Sequence, residues 1–112
     1  MADVIHWNIR GIKDKRSPLF SKKIESVINF LNQPQNSMVI NIQETHLKDD
    51  SEIPKKWMDF GHLYNIISSH AEENDRFSGI IVFINKIHEV ISTETLIKGR
   101  VVLIKTQKSV TS

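Results

Sequence analysis

Gly79 is followed by five apolar residues in a row, Ile80-Ile81-Val82-Phe83-Ile84. In a strand successive side chains point to opposite faces, so such a run is apolar on both. Ser78 to Asn85 therefore reads as a central strand that needs cover on each side. The rest of the chain has to supply a sheet around it and layers above and below.

Val4 to Ile9 reads as a first strand, with Ile5, Trp7 and Ile9 on one face and Val4, His6 and Asn8 on the other. Gly11 and the charged stretch Lys13 to Arg16 form a loop, and Ser17-Pro18 predicts a helix start. Phe20, Ile24, Val27, Ile28 and Leu31 then fall at offsets 0, 4, 7, 8 and 11, the apolar stripe of a helix packing one face on a core. Pro34 should stop that helix, and Met38 to Gln43, dense in β-branched residues, predicts a second strand. Strand, helix, strand with short connections is a βαβ unit, which makes the two strands parallel.

Lys48 to Lys56 reads as a loop, with a short helix around Trp57 to Phe60, and Tyr64 to Ser68 as a third strand. His70 to Arg76 is a charged connection. Val90 to Ile97 and Val101 to Lys105, joined at Lys98-Gly99, predict a hairpin. Thr106 to Ser112 reads as a polar tail. The fold class is α/β (α+β), a mixed sheet with helices on one face.

Length and composition narrow the field. At 112 residues the chain fits one domain. Fifteen basic residues against thirteen acidic ones leave a net charge of +2, too small to argue for nucleic acid by field alone. The absence of cysteine removes disulfides, a thiolate zinc site and a cysteine nucleophile. The longest apolar run is far short of a bilayer span and no signal pattern opens the chain, so no membrane partner and an intracellular location are expected.

A parallel βαβ unit brings the C-terminal ends of its strands to one edge, where open α/β sheets collect ligands. Asn8 stands at the end of the first strand and Glu44 just past the second, with Thr45 and His46 beyond. Magnesium favours oxygen donors, keeps several waters and is often held by one or two carboxylates plus substrate phosphate. On the residues alone two readings stand: Glu44 and Asn8 begin a magnesium site, or Glu44 caps a loop while Asn8 bonds to nearby backbone. Arg10, two residues beyond Asn8, is a candidate phosphate contact. Lys13, Lys15, Arg16, Lys22 and Lys23 form a basic cluster that either follows a phosphate backbone or is a solvated face. Trp7 and Trp57 are either core or stacking platforms, with core favoured for Trp7 by its strand face.

The segments Trp7-Asn8-Ile9-Arg10-Gly11-Ile12, Ile42-Gln43-Glu44-Thr45-His46-Leu47 and Ser78-Gly79-Ile80-Ile81-Val82-Phe83 resemble successive blocks of the endonuclease/exonuclease/phosphatase superfamily. The wording is closest to the endonuclease domains of LINE-type retrotransposons, relatives of the apurinic repair endonucleases. The resemblance runs from Val4 to about Lys105. It implies the N-terminal half of a four-layer αββα sandwich that cleaves phosphodiesters with Mg²⁺ or Mn²⁺. Glu44 would be the metal-binding glutamate, Asn8 the active-site asparagine, and Arg10 a substrate contact. DNA would be the partner, and nuclear action would follow.

The later blocks of that family, a strand with asparagine, tyrosine and proline, a Gly-Asp-x-Asn segment and a closing Ser-Asp-His, have no counterpart in these residues. The resemblance therefore implies a catalytically incomplete fragment. Without a second sheet, the apolar run Ile80 to Ile84 is expected to leave one face uncovered and to drive self-association through it. A non-catalytic nucleic-acid-binding remnant and a phosphatase of the same superfamily are the alternative readings.

Overall fold

A computed structural model describes residues 3–33, 38–73, 75 and 77–108. Four strands, β1 (Asp3–Asn8), β2 (Met38–Gln43), β3 (Tyr64–Ser69) and β4 (Ile80–Asn85), form one sheet in the order β1-β2-β4-β3. β1 and β2 are parallel, as the βαβ pattern requires, and β4 runs antiparallel to both of its neighbours. The uninterrupted apolar run thus occupies an interior position, and Ile80 to Ile84 are all buried. Among the described residues the protein is mixed α+β, with two sheets and two α-helices.

One face of the sheet carries the main core. Ile40 and Ile42 of β2 and Ile81 and Phe83 of β4 are fully buried, with Ile5, Trp7 and Ile66 packed at their flanks. Helix α1 (Phe20–Leu31) lays Ile24, Val27 and Leu31 over this face, three of the five stripe positions, with Phe20 and Ile28 half-buried beside them. The helix begins three residues later than Ser17. Ser17 instead closes a turn: its carbonyl accepts from Phe20 N at 3.0 Å and its hydroxyl from Leu19 N at 3.3 Å. Pro34 lies outside the described residues, and the helix has already ended at Asn32.

The segment after β2 folds into 3₁₀ turns at Asp50–Glu52 and Asp59–His62, with the one-turn helix α2 (Lys55–Met58) between them. It seals the end of the core with Trp57, which is fully buried and stacks edge-on against Phe83 at 5.9 Å. Trp57 Nε1 donates to Ile24 O at 3.2 Å and the Tyr64 hydroxyl donates to Leu31 O at 3.1 Å. Both polar tips are satisfied by the backbone of α1, as buried indole and phenol groups require. Trp57 is therefore a core residue and not a stacking platform.

The opposite face corrects an expectation. Strands β5 (His88–Ile97) and β6 (Val101–Lys108) form the hairpin predicted at Lys98-Gly99, and that hairpin folds over the second face of β4. Val90 and Ile104 pack with Val39 and Ile67 against Ile80, Val82 and Ile84, which are only 6, 7 and 2% exposed. The face expected to lie bare and to drive self-association is covered from within the chain. β6 also runs on to Lys108, so the first residues assigned to a polar tail belong to a strand. The hairpin itself is largely exposed, and Ile91, Leu96, Ile97, Val101 and Leu103 are 40 to 57% accessible. Among the described residues no helix is long and apolar enough to cross a membrane.

Candidate functional site

Because β1, β2 and β3 all run antiparallel to β4, their C-terminal ends meet the start of β4 at one edge of the sheet. That edge gathers Asn8, Glu44, His70 and the Ser78-Gly79 pair. Asn8 and Glu44 come together as their strand positions predict: Asn8 Nδ2 donates to Glu44 Oε2 in a very close contact. Asn8 Oδ1 in turn accepts from Arg10 N at 3.1 Å, which fixes the carboxamide with its amino group toward the carboxylate.

The backbone at this edge is unusual. Arg10, Glu44 and His46 have φ of 53°, 55° and 65°, the left-handed region that non-glycine residues seldom adopt. Such conformations cost of order 1–3 kcal/mol each and persist where surrounding bonds fix them. Here the bonds are visible. Ile9 N, Gly11 N and Ile12 N donate to Gln43 O, Glu44 O and Thr45 O at 3.0, 2.7 and 3.0 Å, so the two strand ends stay zipped beyond the sheet. Lys23 reaches from α1 and donates to Gly11 O at 2.9 Å and Arg10 O at 3.3 Å. Gly11, at φ 88°, leaves the space that the His46 ring occupies, and any Cβ there would collide with that ring.

Thr45 does not open onto the edge as its place in the sequence suggests, and His46 is only partly accessible there. Thr45 is fully buried, and His46 is half-buried against Phe77, their rings edge-on at 5.4 Å. Burial pulls the His46 pKa below its usual value and the nearby Lys23 adds to this, while Glu44 pulls the other way. The imidazole is thereby held toward its neutral form.

A groove of about 570 Å³ is lined by Arg10, Lys13, Lys23, Lys48, His46 and Phe77 among others, with Asp14 and Glu73 the acidic members; Arg10 and His46 stand two residues from Asn8 and Glu44, which do not themselves line it. Of the basic cluster seen in the sequence, Lys13 and Lys23 line this groove, and Arg10 joins them. Lys48, four positions past Glu44, carries no local signal in the sequence, and only the fold turns it into the same groove. A second groove of about 610 Å³ lies between α1 and the Asp50–Lys56 segment, floored by Ile12, Ile24, Leu47 and Ile53; neither Asn8 nor Glu44 lines it.

What the edge offers a cation is the Glu44 carboxylate, oriented by the Asn8 amino group, while the Asn8 carbonyl oxygen is engaged by Arg10 N. Hard oxygen donors of this kind fit a magnesium-like ion that keeps most of its waters and borrows the rest of its shell from a phosphate. They suit zinc less well, since its sites draw mainly on histidine nitrogen and cysteine sulfur with a carboxylate as one ligand among several. Among the described residues no three His, Asp or Glu side chains converge into a fuller cage.

No protein-family model matches the chain, and no curated protein matches it significantly.

Proposed function

We propose that this chain supplies the metal-holding side of a site that cleaves phosphodiesters in nucleic acid, in the first instance DNA. The observation that carries this reading is the Asn8–Glu44 pair at the sheet edge, with the left-handed backbone that presents it. Glu44 would hold Mg²⁺ or Mn²⁺. When bound, such an ion polarises a phosphoryl oxygen and stabilises charge on the leaving oxygen. Asn8, its carbonyl tied to Arg10 N, keeps the carboxylate in one orientation. Arg10, Lys13, Lys23 and Lys48 would line the path of the phosphate backbone, supplying attraction without sequence preference.

The finer architecture belongs to the same reading: the β5–β6 hairpin, set against the second face of β4, would open the second sheet of an αββα sandwich. A catalytic site of that kind also needs a group to orient water and another to clamp the phosphate. His46, two residues past Glu44, packs its ring edge-on against Phe77. Losing either group costs on the order of 10²-fold or more in rate, so the chain by itself should be close to silent in cleavage.

The test pairs Mn²⁺ binding, followed by electron paramagnetic resonance, with nicking of supercoiled plasmid. Wild type should bind Mn²⁺ and Glu44→Gln should weaken that binding about tenfold, the loss of one charged ligand at roughly 1.4 kcal/mol; neither protein should nick. Equal Mn²⁺ affinity in the two proteins would sink the reading. Nicking by wild type that vanishes in Glu44→Gln would keep the assignment and overturn the incompleteness. The basic groove favours a second reading, nucleic-acid binding without chemistry, for which salt-dependent DNA affinity would be indifferent to Mg²⁺ and to Glu44→Gln.

A further inference from the structure

Among the described residues three polar side chains are buried: Thr45, Ser69 and Ser78. All three lie in one strip that joins the turn of the β5–β6 hairpin to the loop carrying Glu44. Gly99 N donates to Ser69 Oγ at 2.8 Å, and Gly99 O accepts from Gly79 N at 2.7 Å. Gly79 O accepts from Thr45 N at 3.1 Å, and Ser78 O accepts from His46 N at 2.9 Å. The Ser78 hydroxyl donates to Asp75 O at 2.9 Å. The residue bracketed by these bonds is Glu44, whose carbonyl accepts from Gly11 N on the far side.

Two positions in the strip admit only glycine. Gly99 has φ 73°, and a Cβ there would stand 2.6 Å from Ser78 Oγ, 2.8 Å from His70 O and 3.2 Å from Gly79 N. Gly79 has φ 119°, and its Cβ would collide with the Thr45 hydroxyl. From outside, Arg100 grips Asp75 through Nη2 at 2.7 Å and Nε at 2.8 Å, clamping the turn down. The strands that lead to this turn are exposed along most of their length.

We propose that the Lys98–Arg100 turn is a positioning element for the sheet edge: the seating of Gly99 against Ser69 and Gly79 sets the left-handed backbone of Glu44 and so the approach of its carboxylate to Asn8. Buried peptide groups in the strip have no water to turn to, so a displaced partner leaves the next one unsatisfied. A left-handed glutamate is costly and persists only where surrounding bonds fix it, and the strip supplies bonds on both sides of Glu44. Ser69 and Gly99 are positioning residues; neither would touch a metal or a phosphate. The relevance of the coupling to metal binding rests on the phosphodiesterase reading, while the coupling itself does not.

The experiment uses the whole chain with Gly99→Ala, Ser69→Ala and, as a comparison, Leu103→Ala, an exposed hairpin position outside the strip. Nitrogen-15 NMR follows the Asn8 side-chain amide and the Gly11 backbone amide, and Mn²⁺ affinity is measured on the same samples. Gly99→Ala and Ser69→Ala should both move the two signals and weaken Mn²⁺ binding about tenfold, and Leu103→Ala should change neither. Ser69→Ala removes a single hydroxyl, so it carries the test if Gly99→Ala fails to fold. Folded Ser69→Ala with both signals at their wild-type positions would overturn the coupling. Were wild type and Glu44→Gln to bind Mn²⁺ alike, the phosphodiesterase reading would fall, and the two NMR signals would still decide the coupling.

Discussion

Replacing Ile84 with alanine measures how firmly the hairpin covers β4. Ile84 is 2% exposed and belongs to the small core made with Val39, Ile67, Val90 and Ile104. The substitution deletes three carbons, about 0.8 kcal/mol each in transfer from water, and the cavity left behind adds to that sum. The expected loss is about 2.5–4 kcal/mol, a large share of the roughly 5–15 kcal/mol that holds a domain of this kind together. Urea unfolding reads it, with the buried Trp57 as a fluorescent probe lodged in the other core. A slope of about 1–3 kcal/mol per molar urea turns the loss into a midpoint shift of about 1–4 M. Ile104→Ala alone should cost less, because its side chain is half-buried. The double variant should lose less than the two singles together, by about 0.5 kcal/mol or more, because each side chain is part of the other's packing. If Ile84→Ala costs under about 0.5 kcal/mol, and the two changes simply add, the hairpin does not lie on β4. The face would then be bare and the expectation of self-association through it would return.

Gly79→Ala should cost about 2–4 kcal/mol in urea unfolding, from the forced positive φ and the collision with Thr45 together; a loss below about 1 kcal/mol would show that the strip yields. Acid should weaken the fold in two stages. His46 is depressed by burial, so its contribution is complete above the unfolded value near 6.5 and is lost as pH falls through the lower folded value. Asp50 is depressed by its bonds to His70 and Ser68, so its contribution is present above about 3.9 and is lost as pH falls through the lower folded value. Unfolding measured from pH 8 downward should show the first stage shrink in His46→Asn, a side chain that tolerates left-handed backbone, and the second in Asp50→Asn.

Periodicity carried much of the fold. The stripe from Phe20 to Leu31 gave the helix its buried side, and strand alternation sorted Ile5, Trp7 and Ile9 from Val4, His6 and Asn8 as the structure does. The unbroken run at Ile80 gave a central strand. What the run could not say was what covers it, because cover is supplied by Val90 and Ile104, scattered in a hairpin that reads as ordinary amphipathic sequence. The meeting of Asn8 and Glu44 was legible from strand ends. The strip behind them was not, since it is built of peptide groups and three small hydroxyls whose burial no local pattern signals. Lys48 escaped for a related reason: its distance from Arg10 along the chain hides their common groove.

The insertion of β4 between β2 and β3 also constrains how the chain reaches its fold. β3 pairs with β4 alone, and β2 has one bare edge until β4 arrives. Nothing after Gln43 can join the sheet until residues 80 to 85 have been made, and β2 then closes with partners some forty residues away, from Gln43 with Ile80 to Val39 with Ile84. Distant pairings of this sort slow folding, because the loop must close before the contacts reward it. During synthesis the β1–β2 pair would wait with an open apolar edge, the condition in which nascent chains stick to one another. The last strand to enter the sheet is the one that locks it.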